Sequence, residues 1–283
     1  MAQFGVTLFL VPFTGVLVRY RASTEDAPTF WGIAKRVYQR QGTSGLCYGL
    51  APTLLSVALA RLWPYHLPPK FYISPSPSTI GYSLMSALFG SLYYVFVLVL
   101  VYRSIAATRP LDLSKPKEYL HHLLSDHERE NPWAIYQIPG LLPALVLNVY
   151  TNIKVIRPLH YAIFPVDVVH PEDMSVAETC LGLACILLVT ALGTAVLTLL
   201  EVITTRLALQ RNHGPGHVPL QEDSTGGAKV SGPPAFDQVV IRLRDEDRPY
   251  PNFLDCATTI VQEEGWRVLY RGWFITFLGV LYV

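Results

Sequence analysis

The stretch QEEGWRVLYRGWF, Gln262 to Phe274, holds glutamates and arginines that suit water, yet it runs directly into ITFLGVLYV, Ile275 to Val283, which suits lipid. A second copy lies far upstream. QGTSGLCYGLAPTLL, Gln41 to Leu55, places Gly42, Leu46 and Gly49 where Gly265, Leu269 and Gly272 stand in the later copy. A polar-to-apolar junction that recurs at fixed spacing predicts an internally repeated chain whose helices leave the water at equivalent points.

Composition narrows what is repeated. Hydrophobic residues make up 51% and charged residues only 15% of the chain, and the mean hydropathy is +0.32, which is the balance of a membrane protein. Tyr82 to Tyr102 and Thr179 to Ile203 are each long enough for a hydrocarbon core of about 30 Å. Ala2 to Val18, Leu46 to Trp63 and Trp133 to Ile153 are shorter or interrupted by proline but almost free of charge, and membrane bundles tolerate such prolines. A sixth span is expected to begin near Val268 and reads as cut short at Val283. No basic segment precedes the first apolar run and no small-x-small site follows it, so that run is expected to be a retained helix and not a signal peptide.

The polar segments after spans one, three and five each hold an amphipathic run: Phe30 to Gln39, Pro116 to Glu128 and Phe253 to Glu264. Tyr119, Leu120, Leu123 and Leu124 recur at helical spacing in the second, as do Phe253, Leu254, Ala257 and Ile260 in the third. These helices are expected to lie along the membrane surface. The expected unit is span, surface helix, span, three times over.

That organisation resembles the mitochondrial carrier family, in which a surface helix runs into an E-G-x-x-x-L-Y-x-G motif. Glu264, Gly265, Leu269, Tyr270 and Gly272 match it. The first copy matches with Gln41 in place of the acid and Cys47 in place of the aromatic, followed by Pro52. The middle copy keeps Ile135, Tyr136, Gly140 and Pro143 if two residues are inserted. The resemblance implies an all-α bundle of six transmembrane helices in three pseudo-repeats, 1–70, 71–166 and 167–283. The third carries an insertion at about 212–251 whose Gly, Pro and charge content predicts disorder. Within it Val239, Ile241 and Leu243 alternate as a short strand would.

Family members close their cavity with a P-x-D/E-x-x-K/R-x-K/R motif at the end of each odd helix, whose acids and bases pair between repeats. Here that motif is degenerate. Pro12 is kept, but the six charge positions read Thr14, Leu17, Leu98, Val101, Glu201 and Thr204. By position, no inter-repeat ion pair is expected. The trailing bases Arg19, Arg103 and Arg206 are expected to be interfacial anchors reaching the headgroups, with Glu201 partnered by Arg206 or by cavity water. The even-helix positions that contact substrate in the family fall on Ser56, Val57, Leu147, Asn148, Gly279 and Val280, none of them cationic; Arg61 and Arg157 are cavity-mouth or helix-end candidates.

The insertion resembles that of divergent carrier-like proteins of the mitochondrial outer membrane that act in fusion and organisation. The expected function is therefore a membrane scaffold with protein partners in the lipid bilayer, and the alternative is a carrier of a small-molecule substrate. His121, His122 and His127 form one loose cluster, where membrane di-iron enzymes need several. The four cysteines, Cys47, Cys180, Cys185 and Cys256, have no metal-ligand spacing, and Cys180 and Cys185 are expected to pack within the fifth helix. No enzyme activity, cofactor or metal is expected. A net charge of +1 without a basic stripe gives no nucleic-acid partner.

Overall fold

The structure is a computed structural model that describes residues 2–25, 28–50, 52–54, 80–107, 115–163, 176–214, 241–244 and 248–281. For residues 2–10, 80–91, 93, 116, 176 and 178 it describes the backbone alone. All regular structure among the described residues is helical. The helices are α1 (Ala2–Ala22), α2 (Phe30–Leu46), α3 (Ile80–Ala106), α4 (Pro116–Leu123), α5 (Asp126–Glu130), α6 (Leu141–Tyr150), α7 (Arg157–Ile163), α8 (Val176–Leu209), α9 (Phe253–Glu264) and α10 (Trp273–Leu281).

The long apolar helix α8 lies at the centre, packed against α1, α3, α6, α7, α9 and α10. Its segment Thr179–Leu209 is the one helix among the described residues that is long and apolar enough to cross a membrane, and only 33% of its most apolar window is buried. A core helix of a water-soluble protein would be mostly covered. Instead Leu181, Leu188 and Leu192 stand exposed on its outer face, as lipid-facing side chains do. On its inner face Val202, Ile203, Leu207 and Ala208 join the main core with Val95 and Val99 of α3, Leu141 and Ala144 of α6, and Cys256 and Ile260 of α9.

Several boundaries differ from the sequence reading. The surface segment from Pro116 does not form one helix: Leu124 is extended and Ser125 starts α5, accepting from the Glu128 amide while the Glu128 carboxylate accepts from the Ser125 amide. That reciprocal cap makes a new helix start there better than continuation, and it leaves Leu120 exposed. The fourth long helix starts at Leu141 and not at Trp133, because Pro132–Gln137 forms a 3₁₀ turn and Pro139 disfavours the α conformation at Ile138. Pro143 sits in the first turn of α6, where its missing N–H has no partner to lose. The helix then passes through a π turn, Thr151–Ile156, into α7, so Arg157 lies within a continuous helical rod and not at its end.

The last helix likewise starts at Trp273 after a 3₁₀ turn, Trp266–Tyr270, and not near Val268. In α9 the buried stripe includes Cys256 and Ile260, whereas Leu254 is 69% exposed. Ile241 and Leu243 form no strand; Val239 lies outside the described residues. Also outside are residues 215–240 and 245–247 of the insertion and, beyond Leu50 and residues 52–54, the expected second span with Ser56 and Arg61. Cys180 is exposed and Cys185 half-buried, so the former does not pack within the bundle.

Candidate functional site

Arg19, Arg103 and Arg206 stand in the last turns of α1, α3 and α8, and they turn inward. Each is 5% exposed or less, which corrects the reading of them as headgroup anchors. Helix C-termini leave four carbonyls without partners, and a guanidinium offers five donors in a fixed fork; the geometry puts those two needs together. Arg19 donates to Gly45 O at 3.0 Å and to Gln41 Oε1 at 3.2 Å. Arg103 makes a two-pronged contact with Glu128, at 2.6 and 2.9 Å, and also bonds the carbonyls of Leu123, Ala208 and Gln210. Arg206 grips both oxygens of Glu264 and bonds the carbonyls of Arg21 and Ser23.

One arrangement thus occurs three times: an arginine at the end of a long helix holds a glutamine or glutamate of the following surface segment. Gln41 and Glu264 were marked by their motif; Glu128 was not, because no glycine follows it. The signal that finds it is the Ser125-x-x-Glu128 capping spacing. Burial opposes ionisation of Glu128, but its bonds to Arg103 and to the Asn212 and Ser125 amides outweigh that and lower its pKa from the ordinary 4.5. A carboxylate whose folded pKa is depressed contributes its full stability above the ordinary value and loses it as pH falls through the depressed one. Thermal unfolding followed against pH should therefore show stability lost below about pH 4.5, and Glu128→Gln should flatten that slope.

The glycines of the repeated motif all have positive φ, from 66° at Gly42 to 90° at Gly49. Gly42 breaks the helical path inside α2 and Gly265 ends α9. Gly49 ends a turn that meets Ile105 and Ser104, and Pro52 follows it, buried. Gly140 caps α6 against the backbone of Phe253, and Gly272 opens onto Leu17. Tyr270 is half-buried at the end of its 3₁₀ turn, against the main core. Asn148 is half-buried and Arg157 exposed.

Glu201 does not meet Arg206, which lies five residues on and so about 140° round the helix. It pairs with Arg21 at 2.5 Å and accepts from Thr276 at 2.6 Å, while Arg21 also donates to Thr276. Arg21 lies one turn beyond Leu17, the vacant basic position, and reaches the acid from there. The expectation that no ion pair joins the first and last parts of the chain is therefore corrected; counting only the motif positions missed it. Leu17, Leu98 and Val101 pack among apolar neighbours. Val101 joins Val18, Val97 and Ile105, and Leu98 packs on the main core. The Thr204 hydroxyl is buried without a partner among the described residues. Pro12 sits inside α1.

The end of the insertion forms a strap across this region. Thr24 donates to Arg242 O from its amide at 2.9 Å, Ile241 is buried with Val16, Leu17 and Phe30, and Arg244 bonds both oxygens of Glu263. The strap so joins the α1–α2 loop to α9. Because the Arg244 and Glu263 side chains are 23% and 53% exposed, Arg244→Ala should lower stability by only about 0.5 kcal/mol, measurable by thermal unfolding in detergent.

No group of three metal-ligating residues occurs among the described residues. Burial pushes the Cys256 thiol up to about 12, which leaves it without thiolate for chemistry at neutral pH. Residues 226–283 match the family model described as mitochondrial carrier protein. No curated protein matches the chain.

Proposed function

We propose, from the mitochondrial carrier protein family model that residues 226–283 match, that the chain is a multi-pass mitochondrial membrane protein with three carrier repeats and six spans. Within that frame it is a scaffold of membrane organisation or fusion, placed in the outer membrane, and not an ordinary exchanger. The supporting observation is the state of the joints between the long helices. One is the ion pair Arg21–Glu201; at the others Val101, Leu98 and Thr204 occupy the charge positions. An exchanger must break and re-form its gate, and apolar contacts between helices are matched by equally apolar lipid contacts, so they distinguish two states poorly. Partly desolvated ion pairs distinguish them well. The buried arginine contacts and the strap add to the holding of one state.

The exchanger reading keeps one observation in its favour, since Arg21, Glu201 and Thr276 form a polar joint that bridges the first and last parts of the chain. Reconstitution in liposomes with a panel of labelled metabolites separates the two. The scaffold reading expects no saturable exchange, and loss of partner capture when residues 215–240 are deleted with the strap kept. Saturable exchange that Glu201→Gln and Arg21→Gln both abolish would overturn it. Protease protection on intact and outer-membrane-ruptured mitochondria tests the placement: an insertion cut only after rupture, or only after the inner membrane is opened, would count against an outer-membrane protein whose loops face the cytosol.

A further inference from the structure

At the ends of α1 and α8, the strap borders two adjoining open cavities of about 130 and 220 Å³ that share Thr24, Leu243, Arg244 and Arg248. Among the described residues five arginines line them, Arg206, Arg211, Arg242, Arg244 and Arg248, with two carboxylates, Glu263 and Glu264. Both carboxylates are already held. Glu264 binds Arg206 in a fork and lies 3.9 Å from Arg271, and Glu263 binds Arg244. The guanidinium groups of Arg242 and Arg248 have no partner among the described residues, and Arg248 borders both cavities. Leu209, Leu243 and Pro249 provide an apolar wall, with the Tyr250 ring under the Arg244 guanidinium at 4.6 Å.

We propose that this cleft is a binding site for a small phosphoryl-bearing anion, held by Arg242 and Arg248 at its mouth. Guanidinium forks match phosphoryl oxygens in geometry and sign. Filling the cleft would fasten the strap to the ends of α1 and α8 from the loop side. The proposal does not depend on whether the bundle transports a solute, because its two holding arginines, Arg242 and Arg248, stand on the strap and not on the long helices.

The probe is inorganic pyrophosphate, titrated calorimetrically into the intact detergent-purified protein at low salt. Saturable binding that weakens as salt rises is expected, and Arg242→Gln with Arg248→Gln should weaken it about tenfold or more, the loss of a charge-assisted hydrogen bond. Phosphatidic acid in nanodiscs, scored by thermal stabilisation that the same double variant removes, identifies a lipid source of the phosphoryl group; response to pyrophosphate alone identifies a soluble one. Three acids, Asp245, Glu246 and Asp247, lie in sequence between Arg244 and Arg248. Binding seen only in the variant D245N/E246Q/D247N would give the arginines to the chain's own acids and overturn the proposal. So would the absence of saturable binding by the unaltered protein, or binding that the double arginine variant leaves unchanged.

Discussion

Arg103→Leu is expected to lower stability by about 3–5 kcal/mol, because it leaves a buried carboxylate without its counter-charge. Glu128 is 0% exposed and Arg103 is 5% exposed. Their two-pronged contact is supported by further bonds on both sides, from Arg103 to three carbonyls and from the Ser125 and Asn212 amides to Glu128. Leucine fills similar space but supplies none of those donors. Neither does lysine restore the fork, so Arg103→Lys should recover only part of the loss. The double variant Arg103→Leu with Glu128→Leu should be more stable than Arg103→Leu alone, since removing both charges eliminates the unpaired one. Arg36→Leu is the control: its pair with Glu25 is about a third exposed on the arginine side, and its loss should be below about 1 kcal/mol. Thermal unfolding in one detergent ranks all four, and equal effects at Arg103 and Arg36 would show that the buried pair carries no special weight.

Gly140→Ala should produce the second large effect. Gly140 has φ 80° and ψ −11° as the N-cap of α6, a left-handed conformation that costs an L-residue about 1–2 kcal/mol. A Cβ at that position would also clash with the backbone of Phe253 at the start of α9. Backbone cannot move aside as a flexible side chain can, so the cost of overpacking, about 1–3 kcal/mol, adds to the strain. At Gly265 nothing lies within 4 Å of an added Cβ, but its φ 89° and ψ 156° are essentially restricted to glycine, so Gly265→Ala should show a backbone strain of its own without a clash. A loss at Gly140→Ala above the roughly 1–2 kcal/mol of left-handed strain, in thermal unfolding, is the expected result; a loss confined to that strain would refute close packing at the α6–α9 junction.

Local signals determined much of this protein. Hydropathy over about 20 residues marks α8 as long and apolar enough to cross a membrane, the motif glycines mark turns with positive φ, and the apolar run from Phe253 marks α9, because each depends on chemistry within one continuous segment of chain. Capping decided finer boundaries: Ser125 with Glu128 splits the middle surface segment, a signal present in the sequence but hidden by the helical spacing of its leucines. The tertiary structure alone decided where charges point. Arg21 meets Glu201 across 180 residues of sequence and the carbonyl of Arg271 across 250, and no local rule places two side chains on facing sides of helices so far apart in the chain. The inward turn of Arg19, Arg103 and Arg206 has the same origin, since a helix-end arginine can reach headgroups or carbonyls until the neighbouring segment supplies a carboxylate or amide oxygen within about 3 Å in a buried site.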